Sequence, residues 1–210
     1  TLGGVPGTTG KYQAAYQGGG SDVYVASLNP TLSAINWATY FGGAAADTVF
    51  NMEVDSAGNT YLIGSTTSNP FPIASALQST YSGAKVGYIA RINSGGAAIA
   101  FSTYFNEPSN LQTHAIRLGP NGKLWVAGGP IAFAGGPAVV PGCSGGTQGN
   151  LLVLNGTTGA VADYFQTIAT GTSNAVNTAL EVDSDSNFYV AAQEASGAPV
   201  TPSYQGYAKS

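Results

Sequence analysis

The chain has 210 residues, enough for one or two domains with a core, and charged residues make up only 8% of it against an average near ~25%. Its six Lys plus Arg are scattered at Lys11, Lys85, Arg91, Arg117, Lys123 and Lys209, and the formal net charge is −4; both exclude the basic stripe of a nucleic-acid binder. Apolar runs stay short of the ~18 residues a membrane-spanning helix needs, and the single Cys143 excludes an intrachain disulfide.

Gly, Ala, Ser, Thr and Asn stand where charges usually do. Such a surface suits a secreted or cell-surface all-β protein, and thirty glycines fit many turns. The lone cysteine leaves the redox compartment open. A sequence beginning at Thr1 fits a processed export product or a piece of a longer chain equally.

Residues 1–21 are Gly-rich and without regular period; they align with residues 67–85 and read as the loop-rich tail of a repeat unit. Two alternating strands follow at 22–28 and 35–40, joined by a turn at Asn29-Pro30-Thr31. This hairpin recurs at 87–92 with 99–104, and at 150–154 with 161–165. Each first strand ends in an apolar residue followed by a turn-starting Asn: Leu28-Asn29, Ile92-Asn93, Leu154-Asn155.

A second kind of hairpin lies between them. Strand 50–54 puts Phe50, Met52 and Val54 on one face; strands 114–118 and 178–182 repeat this with His114, Ile116, Leu118 and with Thr178, Leu180, Val182. Each leads into a tight turn and a returning strand: Asp55-Ser56-Ala57-Gly58-Asn59, then Gly119-Pro120-Asn121-Gly122-Lys123, then Asp183-Ser184-Asp185-Ser186-Asn187. The aromatics Tyr61, Trp125 and Tyr189 recur at a spacing of 64 residues, as do Leu62, Val126 and Val190. Met52, Val54, Leu62, Ile116, Leu118, Val126, Leu180, Val182 and Val190 are expected in the core. No segment longer than ten residues carries a helical period. The chain reads as all-β, with four antiparallel strands per repeat in two unlike hairpins, as in a propeller blade.

The residues also carry a resemblance. The run Thr39-Tyr40-Phe41-Gly42-Gly43, then Asp47, then Val54 through Tyr61, then Gly64-Ser65-Thr66-Thr67-Ser68 and Phe71-Pro72 resembles the bacterial SBBP β-propeller repeat. That family has a Tyr-Leu-Gly-Gly start, an Asp-Ser-x-Gly-Asn-x-Tyr turn and a Thr-x-Ser…Phe-Pro exit. Residues 39–72 match closely. The second repeat departs, with Asn106 and Glu107 for the glycines and Gly119 for Asp; the third keeps Asp183 and Tyr189 but has Ser186 where Gly58 stands. The resemblance implies a propeller and brings no catalytic residues with it.

The expected organisation is one repeat array: an N-terminal half-blade over residues 1–48, blades over 49–112 and 113–175, and a C-terminal half-blade over 176–210. That makes about three blade equivalents, where propellers close with about four to eight. The expected partners are therefore other copies of the chain, meeting head to tail in a ring or filament, or the remainder of a longer chain.

Candidate chemistry is sparse. Asp183, Asp185 and Asn187 have the D-x-D-x-N spacing of a calcium loop, but no bidentate Glu follows, so turn-capping side chains are the plainer reading. Gly142-Cys143-Ser144-Gly145-Gly146 matches G-x-S-x-G by letter, without the strand, helix, His and acid a hydrolase needs. Glu53, Arg117 and Glu181 share one column on the innermost strands and His114 stands beside it; all four are candidate channel-lining residues, and an ion-pair network is expected there. Asn155-Gly156-Thr157 is a sequon. Tyr16, Tyr40, Tyr81 and Tyr104 are the aromatics a glycan or small ligand would use. The expectation is a non-enzymatic structural or adhesion scaffold without cofactor; a ligand- or glycan-binding propeller and a non-catalytic segment of a larger propeller enzyme are the alternatives.

Overall fold

A computed structural model describes residues 7–105, 115–128, 150–166, 175–194 and 205–207. Thirteen strands run along them: β1 Val23–Leu28, β2 Ile35–Phe41, β3 Asp47–Val54, β4 Thr60–Thr66, β5 Val86–Ile92, β6 Ile99–Phe105, β7 Ala115–Leu118, β8 Lys123–Gly128, β9 Asn150–Asn155, β10 Val161–Gln166, β11 Ala175–Val182, β12 Phe188–Glu194 and β13 Gln205–Tyr207. The described residues hold no helix. The chain divides into two compact units, Thr1–Tyr104 and Phe105–Ser210.

In the first unit β3, β4, β5 and β6 form one antiparallel sheet in chain order, and β1 with β2 forms a separate hairpin. Alternation explains the packing. Val23 and Val25 point the same way from β1 and cover Leu62 of β4 and Val86, Tyr88, Ala90 and Ile92 of β5. Phe41, Phe71 and Tyr88 close that core, Phe41 edge-on to Phe71 and both tilted against Tyr88, with ring centroids 4.8–5.7 Å apart.

In the second unit β7 to β10 form the equivalent sheet, and β11 with β12 forms a hairpin packed on it. Leu180, with half-buried Val182, Phe188 and Val190, lies on Ala115, Trp125, Ala127, Leu151 and Val153. The architecture is thus all-β, of four-stranded propeller-like blades. β13 adds a fifth strand beside β10, pairing Tyr164 with Tyr207. The sequence had assigned those residues to the terminal half-blade; backbone pairing puts them on the sheet before it.

Turn chemistry follows the expected residues. Asn29, Asn93 and Asn155 start the outer-hairpin turns, each giving its N–H to the carbonyl that closes the loop, at 2.8–3.0 Å. The inner-hairpin turn has one geometry three times: Gly58, Gly122 and Ser186 donate N–H to the carbonyls of Asp55, Gly119 and Asp183, all three at positive φ. The two glycines adopt that φ without strain; Ser186, at +66°, does not.

Burial corrects one expectation. Leu62, Ile116, Val126 and Leu180 are buried and Leu118, Val182 and Val190 half-buried, but Met52 and Val54 are exposed. Their face of β3 is apolar as the alternation requires. However, the hairpin on that side, β1–β2, covers Leu62 and β5 and leaves the β3 margin uncovered.

Candidate functional site

The start and exit of the motif meet at one corner of the first unit, around the buried carboxylate of Asp47, and its Asp55 turn lies at the other end of β3 and β4. Asp47 opens β3 and accepts hydrogen bonds from the Gly43 N–H at 2.7 Å, the Ser68 hydroxyl at 3.0 Å and the Thr66 hydroxyl. Three donors make a buried charge tolerable. The glycines leave room for it: a Cβ on Gly42 would meet Asp47 Oδ2 at 2.6 Å, and one on Gly43 would meet the Pro70 carbonyl at 2.5 Å. Phe71 at the motif's exit donates its N–H to the Tyr104 hydroxyl. Gly42, Gly43, Asp47, Thr66, Ser68 and Phe71 are thus all engaged in packing or hydrogen bonds within the corner.

Asp22 stands beside this corner. Its Oδ2 accepts the Gln17 N–H at 2.7 Å, while Oδ1 is buried without a hydrogen bond. Burial pushes its carboxyl pKa up, the Gln17 N–H opposes this, and the neighbouring Asp47 charge adds to the rise.

The entry loops repeat as well. Gln13 takes its N–H to the Thr39 hydroxyl, and Gln78 takes its own to the Thr103 hydroxyl, so both loops run along the last strand of an outer hairpin alike. The tyrosine pairs are equivalent too: Tyr16 meets Tyr40 edge-on at 6.3 Å, and Tyr81 meets Tyr104 at 5.7 Å. Tyr104 is buried, whereas Tyr16 is exposed beside Tyr24, which lies 5.6 Å from Tyr40.

At the turn proposed for calcium, Asp183 is already fully engaged. Its Oδ1 accepts the N–H groups of Asp185 and Asn187, and its Oδ2 accepts the Asn187 amide and the Tyr189 hydroxyl, all at 2.8–3.1 Å. The Asn187 amide above all holds the Asp183 carboxyl below the ordinary carboxylate range. The Asp55 turn has the same four bonds, from Ala57, Asn59 twice and Tyr61. Burial pushes Asp55 up, but those donors outweigh it and its pKa is lowered. This supports the turn-capping reading of Asp183 and Asn187. Among the described residues no three His, Cys, Asp or Glu side chains gather as a metal cluster.

Arg117 and Glu181, one repeat apart, meet as the column spacing implies: Arg117 Nε donates to Glu181 Oε2 at 3.1 Å. The pair is 31% and 67% exposed, which makes its contribution small. Glu53 sits on β3 opposite Tyr61. His114, Cys143 and Ser144 lie outside the described residues. What the sequence did not show is the Asp47–Ser68–Thr66 network, whose partners are about twenty residues apart; the only signal was the motif itself.

Residues 36–72 match the protein-family model described as SBBP, beta-propeller repeat. A comparison with curated proteins returns no match. The chain therefore carries an SBBP-type propeller repeat, and its other repeats are those that the 64-residue period and the strand order define.

Proposed function

We propose that this chain is a non-enzymatic scaffold or adhesion module of β-propeller repeats, working outside the cell or at its surface and associating with further copies of itself through its half-blades. One observation carries the reading: the first unit holds an outer hairpin, β1–β2, as a two-stranded sheet, and the second holds an inner hairpin, β11–β12, as another. Among the described residues, each matches half of the four-strand unit, β3–β6 or β7–β10, beside it. A strand with one neighbour is an open template for another, and few charges guard these two. The motif residues work at packing and turn capping, which also supports a structural role. No cofactor enters this reading. Electron microscopy of the purified chain tests it: rings or fibres are expected, and dispersed single particles at micromolar concentration contradict it.

Exposed Tyr16 and Tyr24 around Tyr40 favour a second reading, a glycan- or small-ligand-binding propeller, since stacked aromatic edges suit sugar rings. A glycan array separates the two, with Tyr16→Ala abolishing any signal that arises there.

A further inference from the structure

We propose that the hairpin β11–β12 of a second copy docks beside β1 and over the exposed face of β3, in a defined register with Tyr189 opposite Ser27 and Val190 opposite Ala26. The proposal rests on the assembly reading above and adds its register and its contact face.

The register comes from two pairings the chain already makes. In each complete sheet the returning strand of the inner hairpin pairs antiparallel with the first strand of the outer one. Tyr61 stands opposite Arg91 and Leu62 opposite Ala90; Trp125 stands opposite Val153 and Val126 opposite Leu152. The repeat spacing puts Tyr189 and Val190 in the positions of Tyr61 and Leu62. The shared ends Leu28-Asn29, Ile92-Asn93 and Leu154-Asn155 put Ser27 and Ala26 in the positions of Arg91 and Ala90. Both known sheets give the same offset, so the third pairing has one register.

Exposure at equivalent positions shows what is uncovered. Leu28 is 47% exposed, whereas Ile92 and Leu154 are both 0%. Tyr189 is 59% exposed, against 3% for Tyr61 and 7% for Trp125. Met52 is 52% exposed, against 0% for Ile116 and 3% for Leu180. Leu28 and Tyr189 lie on the two separate hairpins that are complementary halves of a blade, and Met52 lies on β3, the face against which that completed blade would pack.

The second unit shows how the added hairpin would lie. There the inner hairpin β7–β8 packs on β11–β12, and Trp125 stacks on Phe188 at 5.4 Å. Shifted by one repeat, Tyr189 takes the place of Trp125, and the face it meets is that of Met52 and Val54. A cavity of about 330 Å³ lined by Val23, Val25, Val49, Met52 and Leu62 opens on that face. A second copy is the occupant with an inner hairpin of the right repeat phase and an uncovered aromatic at the right position.

Disulfide trapping between separately prepared full-length chains tests this, in a Cys143→Ser background. One chain carries Ala26→Cys and the other Val190→Cys, so a bond between them is intermolecular. Directly opposite residues lie within disulfide reach, and residues two places along the strand do not. Mixing and mild oxidation should give about tenfold more covalent dimer than the Tyr24→Cys with Val190→Cys control. Trapping at the control pair, or none while light scattering still shows assembly, overturns the register and leaves the assembly reading standing. Chains that stay monomeric overturn both. If one chain carrying both cysteines yields an internally bonded monomer, the occupant is the chain's own hairpin and the proposal is wrong.

Discussion

Gly64→Ala probes the packing of the motif repeat most sharply. Gly64 lies on β4 opposite Val49, beside a register shift in β3. An added Cβ would stand 2.0 Å from the Thr48 carbonyl oxygen and 2.6 Å from the Tyr88 hydroxyl. The first is backbone, so relief requires β3 to move from β4. The second belongs to a fully buried ring whose hydroxyl donates to that same Thr48 carbonyl at 3.1 Å. Burial raises the Tyr88 pKa far above the usual phenol range, so the hydroxyl stays a neutral donor. Overpacking costs about 1–3 kcal/mol, and displacing a buried hydroxyl from its acceptor costs about 1–3 kcal/mol more. In a unit of this size each kcal/mol lowers melting by about 4–8 °C, so a loss of at least ~8 °C is expected. Near-ultraviolet circular dichroism, which follows the buried aromatics, measures it. Tyr88→Phe alone should cost about 1 kcal/mol, and the double variant should lose less than the sum, since the hydroxyl clash is gone while those with the Thr48 carbonyl and the ring edge remain. A Gly64→Ala protein melting within about 2 °C of the parent would refute this packing.

Asp47→Ala leaves the Gly43 N–H and two buried hydroxyls without their acceptor and should destabilise the first unit by about 3 kcal/mol or more, read by urea denaturation. Ser186→Gly removes a positive-φ side chain and should stabilise the second unit by about 0.5–1 kcal/mol, read the same way; a loss would mean the serine hydroxyl matters more than its backbone. Asp22 has a raised carboxyl pKa, so the folded state holds its proton more tightly and the first unit gains stability as pH falls through that value. Asp22→Asn should therefore melt above the parent at neutral pH and lose that gain on acidification, and a lower neutral melting point contradicts it. Asp55 runs the other way, since its lowered pKa gives stability present above the ordinary carboxylate value and lost as pH falls through the folded one; Asp55→Ala should flatten that acid limb in thermal melts.

Turn residues made much of the fold legible. Asn29, Asn93 and Asn155 marked one hairpin type and the Asp55 and Asp183 turns the other, because each caps its own loop through bonds a few residues apart. The Arg117–Glu181 contact was legible for the same reason, since a fixed period turns sequence columns into neighbours. Met52 and Val54 failed as core residues because alternation says which face is apolar and not whether anything lies on it. The proximity of Asp22 and Asp47, 25 positions apart, left no local trace. Nor did the crowding at Gly64, which depends on Tyr88 reaching across from the next strand. β13 is three residues long and pairs at a distance, so no period announces it.

Sedimentation velocity over a hundredfold range of concentration tests the central claim, that the half-blades of different copies complete one sheet between them. Species at multiples of the 21.1 kDa chain mass, growing with concentration and reduced by removing residues 1–40, are the predicted result. A single well-folded 21.1 kDa species at every concentration would contradict it.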